Sequence, residues 1–255
     1  MTEALTLDTG YWLCLAFFLV AFLYSMVGFG GGSSYLAILV LAGLPYQSIP
    51  ATALVCNLIV TSGCCWYFYR AGHFKLRNVL PFIVLSIPMA YVGGSISITK
   101  DFFCLLLGIS LLAVAVRMFL PAERFEVTKD ISWQQAWAVG LPAGALLGFL
   151  AGLVGIGGGI FLSPLLLFMR WVNVKEAAAS ASFFIMANSL SGLTGQMQKG
   201  TAHLEWIFPL GLAVFLGGQI GSRMGAYRIP KLRLQQLLAG LVLYVAVKLL
   251  MEAAA

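Results

Sequence analysis

Charge is what this chain has least of. Only 9% of its 255 residues are Asp, Glu, Lys or Arg, against about 25% in a soluble globular protein. Hydrophobic residues make up 61% and the mean hydropathy is +0.95. That composition leaves only an integral membrane protein. Acidic residues are scarcest of all: none lies in the middle of an apolar segment, and Glu176 and Glu205 sit at segment ends. A cation carrier or a carboxylate proton relay shows acids inside the membrane, so their absence favours an anion. The two histidines, His73 and His203, fall in loops on opposite faces and read as solvated. No H-E-x-x-H and no serine–histidine–aspartate set can be assembled, which argues against hydrolysis. Cys14, Cys56, Cys64, Cys65 and Cys104 lie inside apolar runs without C-x-x-C spacing, as buried thiols do. The first residues, Met1-Thr2-Glu3 with Asp8, lack the basic region of a cleaved signal peptide. The net charge of +6 is assigned to cytoplasmic loops and not to nucleic acid.

What the chain has in abundance is apolar length. Five hydrophobic segments, at 11–27, 31–44, 50–69, 76–98 and 102–120, precede a polar connector at 121–132. Five more follow, at 133–154, 158–171, 174–197, 204–225 and 229–251. Such runs are continuously apolar, as spanning helices require, and lack the alternation of a β-barrel. Six tryptophans near segment ends fit an aromatic belt. The domains expected are a first transmembrane repeat at 1–120, a cytoplasmic linker at 121–132 and a second repeat at 133–255.

The repeat is carried by glycine. Gly28-Phe29-Gly30-Gly31-Gly32-Ser33-Ser34 recurs as Gly155-Ile156-Gly157-Gly158-Gly159 at a shift of 127. Gly72, Pro81 and Gly93 then map onto Gly200, Pro209 and Gly221 at a shift of 128. Neither copy has the strand–turn–helix context or the acidic residue of a dinucleotide fingerprint. With the 70–77 loop in the cytoplasm and each later segment crossing, twelve of the fifteen Lys and Arg are cytoplasmic. Only Lys100, Lys199 and Lys248 fall outside. Both termini then face out. Gly72 is cytoplasmic and its partner Gly200 external, so the halves have opposite topology, the architecture of alternating-access carriers.

Segment 31–44 would rise about 21 Å as a helix, short of a core of about 30 Å. Each glycine break is therefore expected inside the membrane, where unwound backbone is tolerated only in protein or along a cavity. Close packing through small residues is the alternative use of these glycines. Helix N-termini present N–H groups to anions. Gly30, Gly31, Gly32, Gly157, Gly158 and Gly159 supply such groups, and Ser33 and Ser34 add hydroxyls at the first break only. The segments that follow add Thr52, Asn57, Thr61 and Ser62, and Ser180, Ser182, Asn188, Ser189 and Ser191. Ser and Thr often bond only their own helix, whereas Asn57 and Asn188 are costlier to bury. The substrate site expected combines the six glycines with Ser33, Ser34, Thr52, Asn57, Ser180, Ser182 and Asn188. No catalytic residue, metal or cofactor is expected.

Val27-Gly28-Phe29-Gly30-Gly31-Gly32 and Val154-Gly155-Ile156-Gly157-Gly158-Gly159 resemble the doubled motif of the sulfite exporter TauE/SafE family. The second copy continues into Ser163-Pro164-Leu165, as in that family; the first has Ala37 where the proline would stand, which softens the bend. Ala51-Thr52-Ala53-Leu54 also resembles the family's stretch after the first motif, and segment order matches over nearly the whole chain. The resemblance implies a carrier in a bacterial or archaeal inner membrane that exports sulfite or a related organosulfonate. The fold class expected is an all-α integral membrane protein, an inverted repeat of about four or five segments per half, each half with a glycine-broken hairpin. The partners expected are a small anionic substrate and membrane lipid, with no nucleic acid; a homodimer is compatible with the chain. A passive anion channel and a non-transporting scaffold or sensor are the rival functions.

Overall fold

The computed structural model describes residues 7–99, 132–199 and 207–228, with scattered positions in 101–116 and 243–251. Nearly all of segments 102–120 and 229–251, the 121–131 connector, and His203, Glu205 and Trp206 lie outside the described residues.

Eight helices run through the described residues. They are α1 (Leu7–Met26), α2 (Gly32–Leu41), α3 (Ile49–Arg70), α4 (Leu76–Ser95), α5 (Trp133–Val154), α6 (Gly159–Phe168), α7 (Val174–Met197) and α8 (Ile207–Tyr227). The helices α3, α4, α5 and α8 are long and apolar enough to cross a membrane. Large apolar side chains such as Leu15, Leu19, Val84, Leu146, Leu212 and Phe215 remain exposed on the outer faces, the surface a bilayer would cover. The segment bounds at 133–154 and 174–197 coincide with α5 and α7. The two short segments are shorter still as helices, at ten residues each.

Local chemistry explains the ends. The Ser132 hydroxyl accepts from the Gln135 amide and caps α5. Asn173 and Glu176 form a reciprocal capping box on α7. The early stop of α2 and α6 comes from a left-handed residue: Gly43 at φ 75° after α2 and Arg170 at φ 56° after α6. In each case the amide of the next residue reaches back to close the last turn, Leu44 to Leu39 and Trp171 to Leu166.

Glycine stripes set the packing. Gly140, Gly144, Gly148 and Gly152 of α5 lie directly on Pro81, Phe82, Ser86 and Ala90 of α4, so these helices run parallel with their backbones in contact. Gly217, Gly221 and Gly225 of α8 lie on Phe18, Phe22 and Met26 of α1 in the same way. A Cβ at Gly152 would overlap the Ala90 carbonyl, and one at Gly225 the Met26 carbonyl. Small residues of this kind let membrane helices associate through van der Waals contact.

The third helices of the two halves form the centre. They run in opposite directions: the Cys65 thiol reaches Ser182, while Leu54, eleven residues earlier, lies beside Gly192, ten residues later. The contacts of one half recur, exchanged, in the other. Gly28 meets Ala178 and Gly155 meets Pro50; Gly93 meets Phe149 and Gly221 meets Phe22; Gly30 meets Asn57 and Gly157 meets Ile185. Each of these three contacts turns into its mate at shifts of 127 and 128.

Charge gathers at one end. Lys75 pairs with Glu176 at 2.6 Å, Arg77 lies over the Trp133 ring, and the Lys175 amine reaches the Ala226 carbonyl. Arg70, Arg223 and Arg228 share a cleft there. At the opposite end Lys199 is the one described cation; its amine donates to the Ile96 carbonyl and to Gln196.

Candidate functional site

The two glycine breaks are built alike. Between α1 and α2, Gly28 and Gly31 adopt φ of 80° and 90°; between α5 and α6, Gly155, Gly157 and Gly158 adopt 86°, 81° and 75°. Only glycine enters that region without strain. The residue capping each short helix is itself one of these glycines, Gly31 or Gly158, and provides no side-chain acceptor. Where α5 and α7 close their first turns with Ser132 and Asn173, α2 and α6 leave amides facing protein interior. At the first break the Ser34 and Tyr35 amides bond the Gly31 carbonyl, and those of Gly32 and Ser33 have no acceptor among the described residues. At the second, the Gly159 amide, expected as a free donor, is taken by the Gly157 carbonyl at 3.0 Å. The two lobes therefore differ in donors as well as in serines.

Asn57 is where the breaks meet. It is fully buried in the middle of α3, and its Nδ2 donates to the Ile156 carbonyl in the second break at 3.1 Å. That bond fixes the amide and turns Oδ1 towards the first break, where Gly30 and Gly32 close directly onto the side chain. A Cβ on Gly157 would stand 3.1 Å from Asn57 Nδ2 and 2.9 Å from Ser189 Oγ. Gly30 and Gly32 of one half and Ile156 and Gly157 of the other thus converge on one amide. Asn57 Oδ1 itself has no donor.

Four more buried polar atoms are unpaired: Ser33 Oγ, the Tyr35 hydroxyl, Ser180 Oγ and Ser189 Oγ. All lie on the short helix α2 or on α7, beside the breaks. Buried polar groups are nearly always paired, and an unpaired one costs about 1–3 kcal/mol. The four unpaired hydroxyls can donate to a small polar ligand that brings its own oxygens, whereas Asn57 Oδ1 can only accept.

The expected site residues divide on this geometry. Gly30, Gly31, Gly32, Gly157, Gly158, Ser33, Ser34 and Asn57 lie in or against the breaks. Ser34 donates to the Tyr24 hydroxyl at 2.8 Å; Ser33 lies near the same hydroxyl without hydrogen-bond geometry. Thr52 and Ser182 bond back to their own helices, at the Ser48 and Ala179 carbonyls. Asn188 has both ends of its amide engaged: it accepts from Ser86 of α4 at 2.6 Å and donates to the Phe184 carbonyl at 3.0 Å. It ties α7 to α4.

Three residues join the site that the expected set omits. Tyr24 receives Ser34, the Tyr35 hydroxyl stands 2.9 Å from a Cβ placed on Gly31, and Ser189 faces Gly157. Tyr24 lies four residues before Gly28 and Tyr35 four after Gly31, one helical turn from the break on either side. A hydroxyl in that position, in a segment otherwise apolar, is the signal in the sequence. Among the described residues no three His, Cys, Asp or Glu come together as metal ligands.

Comparison with known proteins follows the same line. Residues 13–249 match the family described as Sulfite exporter TauE/SafE. The chain is 33% identical over 242 residues to "Probable membrane transporter protein y4hK" of Sinorhizobium fredii, covering 93% of this chain and 97% of that one. It is 24% identical to "Probable membrane transporter protein YunE" of Bacillus subtilis, covering 78% and 82%. It is 28% identical to "Probable membrane transporter protein MJ0441" of Methanocaldococcus jannaschii, covering 74% and 73%. No solved structure matches. The chain belongs to the sulfite exporter TauE/SafE family, a family of membrane transporters.

Proposed function

We propose that this protein is a secondary transporter that exports a small sulfur oxyanion, sulfite or a related organosulfonate, across the inner membrane by alternating access. The observation that carries the reading is the meeting of two uncapped helix N-termini at Asn57. Unpaired amides and the positive end of the helix dipole favour an anion, and hydroxyls at Ser33, Tyr35, Ser180 and Ser189 complete a donor-rich lining. The family description supplies the sulfur; the lining itself is selective only for a compact oxyanion.

The halves are read as inverted repeats. Opposed α3 and α7, and contacts that exchange between halves, support that topology. The end bearing Arg70, Lys75, Arg77, Arg170, Lys175, Arg223 and Arg228 is read as cytoplasmic by the excess of positive charge, which puts Lys199 and both termini outside. The repeats at 1–120 and 133–255 then move against one another around the breaks, with the 121–132 connector in the cytoplasm. In the arrangement described here the glycines close directly on Asn57, Ile185 and Tyr35. An anion reaches the amides only when the halves part, as alternating access requires.

Sulfite uptake into proteoliposomes of the purified protein tests the reading. Saturable flux is expected, and Gly31→Val and Gly158→Val should abolish it. Both glycines have left-handed φ, and a Cβ meets Val20 and Tyr35 at the first and Ala151 and Phe184 at the second. Normal flux in both variants would refute the site; no flux of sulfite, sulfate, thiosulfate or small sulfonates by folded wild-type protein would refute the carrier.

A further inference from the structure

Between α3 and α8, at the basic end of the molecule, lies a cleft of about 850 Å³ that the transport reading does not use. From α3 it is lined by Trp66 and Arg70, from α8 by Ile220, Arg223 and Met224, and just past the end of α8 by Arg228. Three guanidinium groups share one cavity, and among the described residues no carboxylate lines it. The ion pair nearest in sequence, Lys75 with Glu176, uses neither these arginines nor the cleft. Arg70 holds its guanidinium 5.4 Å above the Trp66 ring, a contact that orients its planar fork. Arginines with no carboxylate partner among the described residues attract oxyanions and bind them bidentately, while the indole, Ile220 and Met224 offer an apolar wall.

The opposite end shows that helix ends in this fold do not require such a cluster. Exchanging the halves at the shift of 128 turns Arg70 into Gln198 and Arg223 into Ser95. Those two residues line a cavity of about 480 Å³. There the cation is Lys199, whose amine already donates to Ile96 and Gln196. Among the described residues the arginine cleft is a feature of one end alone.

We propose that this cleft binds a tetrahedral oxyanion head group attached to an apolar body, with the charge held by Arg70, Arg223 and Arg228 and the body by Trp66, Ile220 and Met224. Two sources carry that chemistry: an anionic phospholipid head group in the adjacent leaflet, or a free amphiphilic anion such as an alkanesulfonate.

The full chain in phosphatidylcholine nanodiscs, titrated calorimetrically with sodium hexanesulfonate, tests the free-anion arm. Native mass spectrometry of the detergent-solubilised protein with added phosphatidylglycerol tests the lipid arm. Arg70→Gln and Arg223→Gln are each expected to weaken binding about tenfold, the loss of one charge-assisted contact, with thermal stability unchanged. Arg77→Gln, at the same end but over Trp133, should leave it intact. Hexanesulfonate binding lost in the cleft variants supports the site as one for a free anion; phosphatidylglycerol retention alone, lost in those variants, supports it as a lipid site. Binding of neither probe, or equal weakening by Arg77→Gln, overturns the proposal. Binding is read without flux, so its failure leaves the carrier reading standing.

Discussion

Replacing Asn57 by leucine separates a binding role from a packing role, because the two side chains branch alike and differ in polarity. On the stability side two effects oppose each other. The Ile156 carbonyl loses its donor, a cost of about 1–3 kcal/mol. The unpaired Oδ1 disappears at the same time, which returns a similar amount. The net change should stay within about 2 kcal/mol, and a chain of this size shifts its melting temperature by about 2–4 °C per kcal/mol. On the transport side nothing offsets the loss. The donor at stake is the second N–H of Asn57 Nδ2, the first being held by the Ile156 carbonyl; a hydrogen bond from it to a charged oxygen contributes about 1.5–3 kcal/mol, which is about tenfold to a hundredfold in rate at about 1.4 kcal/mol per decade. Initial rates of saturable sulfite uptake in proteoliposomes, beside thermal unfolding in detergent, read both quantities. A variant that unfolds within a few degrees of wild type and transports at least tenfold more slowly supports the site. Flux within about threefold of wild type would refute it and reduce Asn57 to a spacer between two glycine turns.

Two further outcomes are expected. Gly152→Ala should lower the melting temperature by several degrees, because its Cβ would overlap the Ala90 carbonyl and overpacking costs about 1–3 kcal/mol; an unchanged melting temperature would show that α4 and α5 separate freely. Burial lowers the pKa of Lys199 from the usual 10.5, so the folded chain sheds this proton before the unfolded chain does. Stability from this group therefore rises as pH climbs towards 10.5, and the difference between wild type and Lys199→Gln should grow over that alkaline range; a difference independent of pH would contradict it.

Much of the architecture is legible in the residues. Continuous apolar runs mark the long helices, and α5 and α7 begin and end where the sequence pattern does, because Ser132 and the Asn173–Glu176 pair are strong start signals. The short helices end earlier than their segments. Hydropathy cannot see this: Ala42, Gly43 and Leu44 are as apolar as a helix interior, and only backbone conformation at Gly43 and Arg170 ends the turn. At the site, the cost of burying an amide singles out Asn57 and Asn188 equally. Their fates differ through a partner far away in sequence, Ser86, which satisfies one and not the other. Tyr24 and Tyr35 escape notice because aromatic rings are ordinary in apolar segments; their hydroxyls matter only once the break is known to lie one turn away. The direction of α3 against α7 follows from charge sorting along the loops, whereas the arginine cleft depends on which helices become neighbours.

Contacts that survive exchange of the halves carry a thermodynamic consequence. If Gly28 on Ala178 and Gly155 on Pro50 are two versions of one contact, then shifting the halves so that each takes the other's role costs little packing energy. On the carrier reading proposed above, such a molecule would have two almost degenerate arrangements, with a small bias deciding their populations. The degeneracy is lifted where partners are unlike, as at Pro50 opposite Ala178, Asn57 opposite Ile185, Ser34 opposite Phe161 and Gly43 opposite Arg170. On that reading, the positions at which the two halves have drifted apart would set the resting orientation of the protein, and restoring likeness there should move its balance between faces without touching its fold.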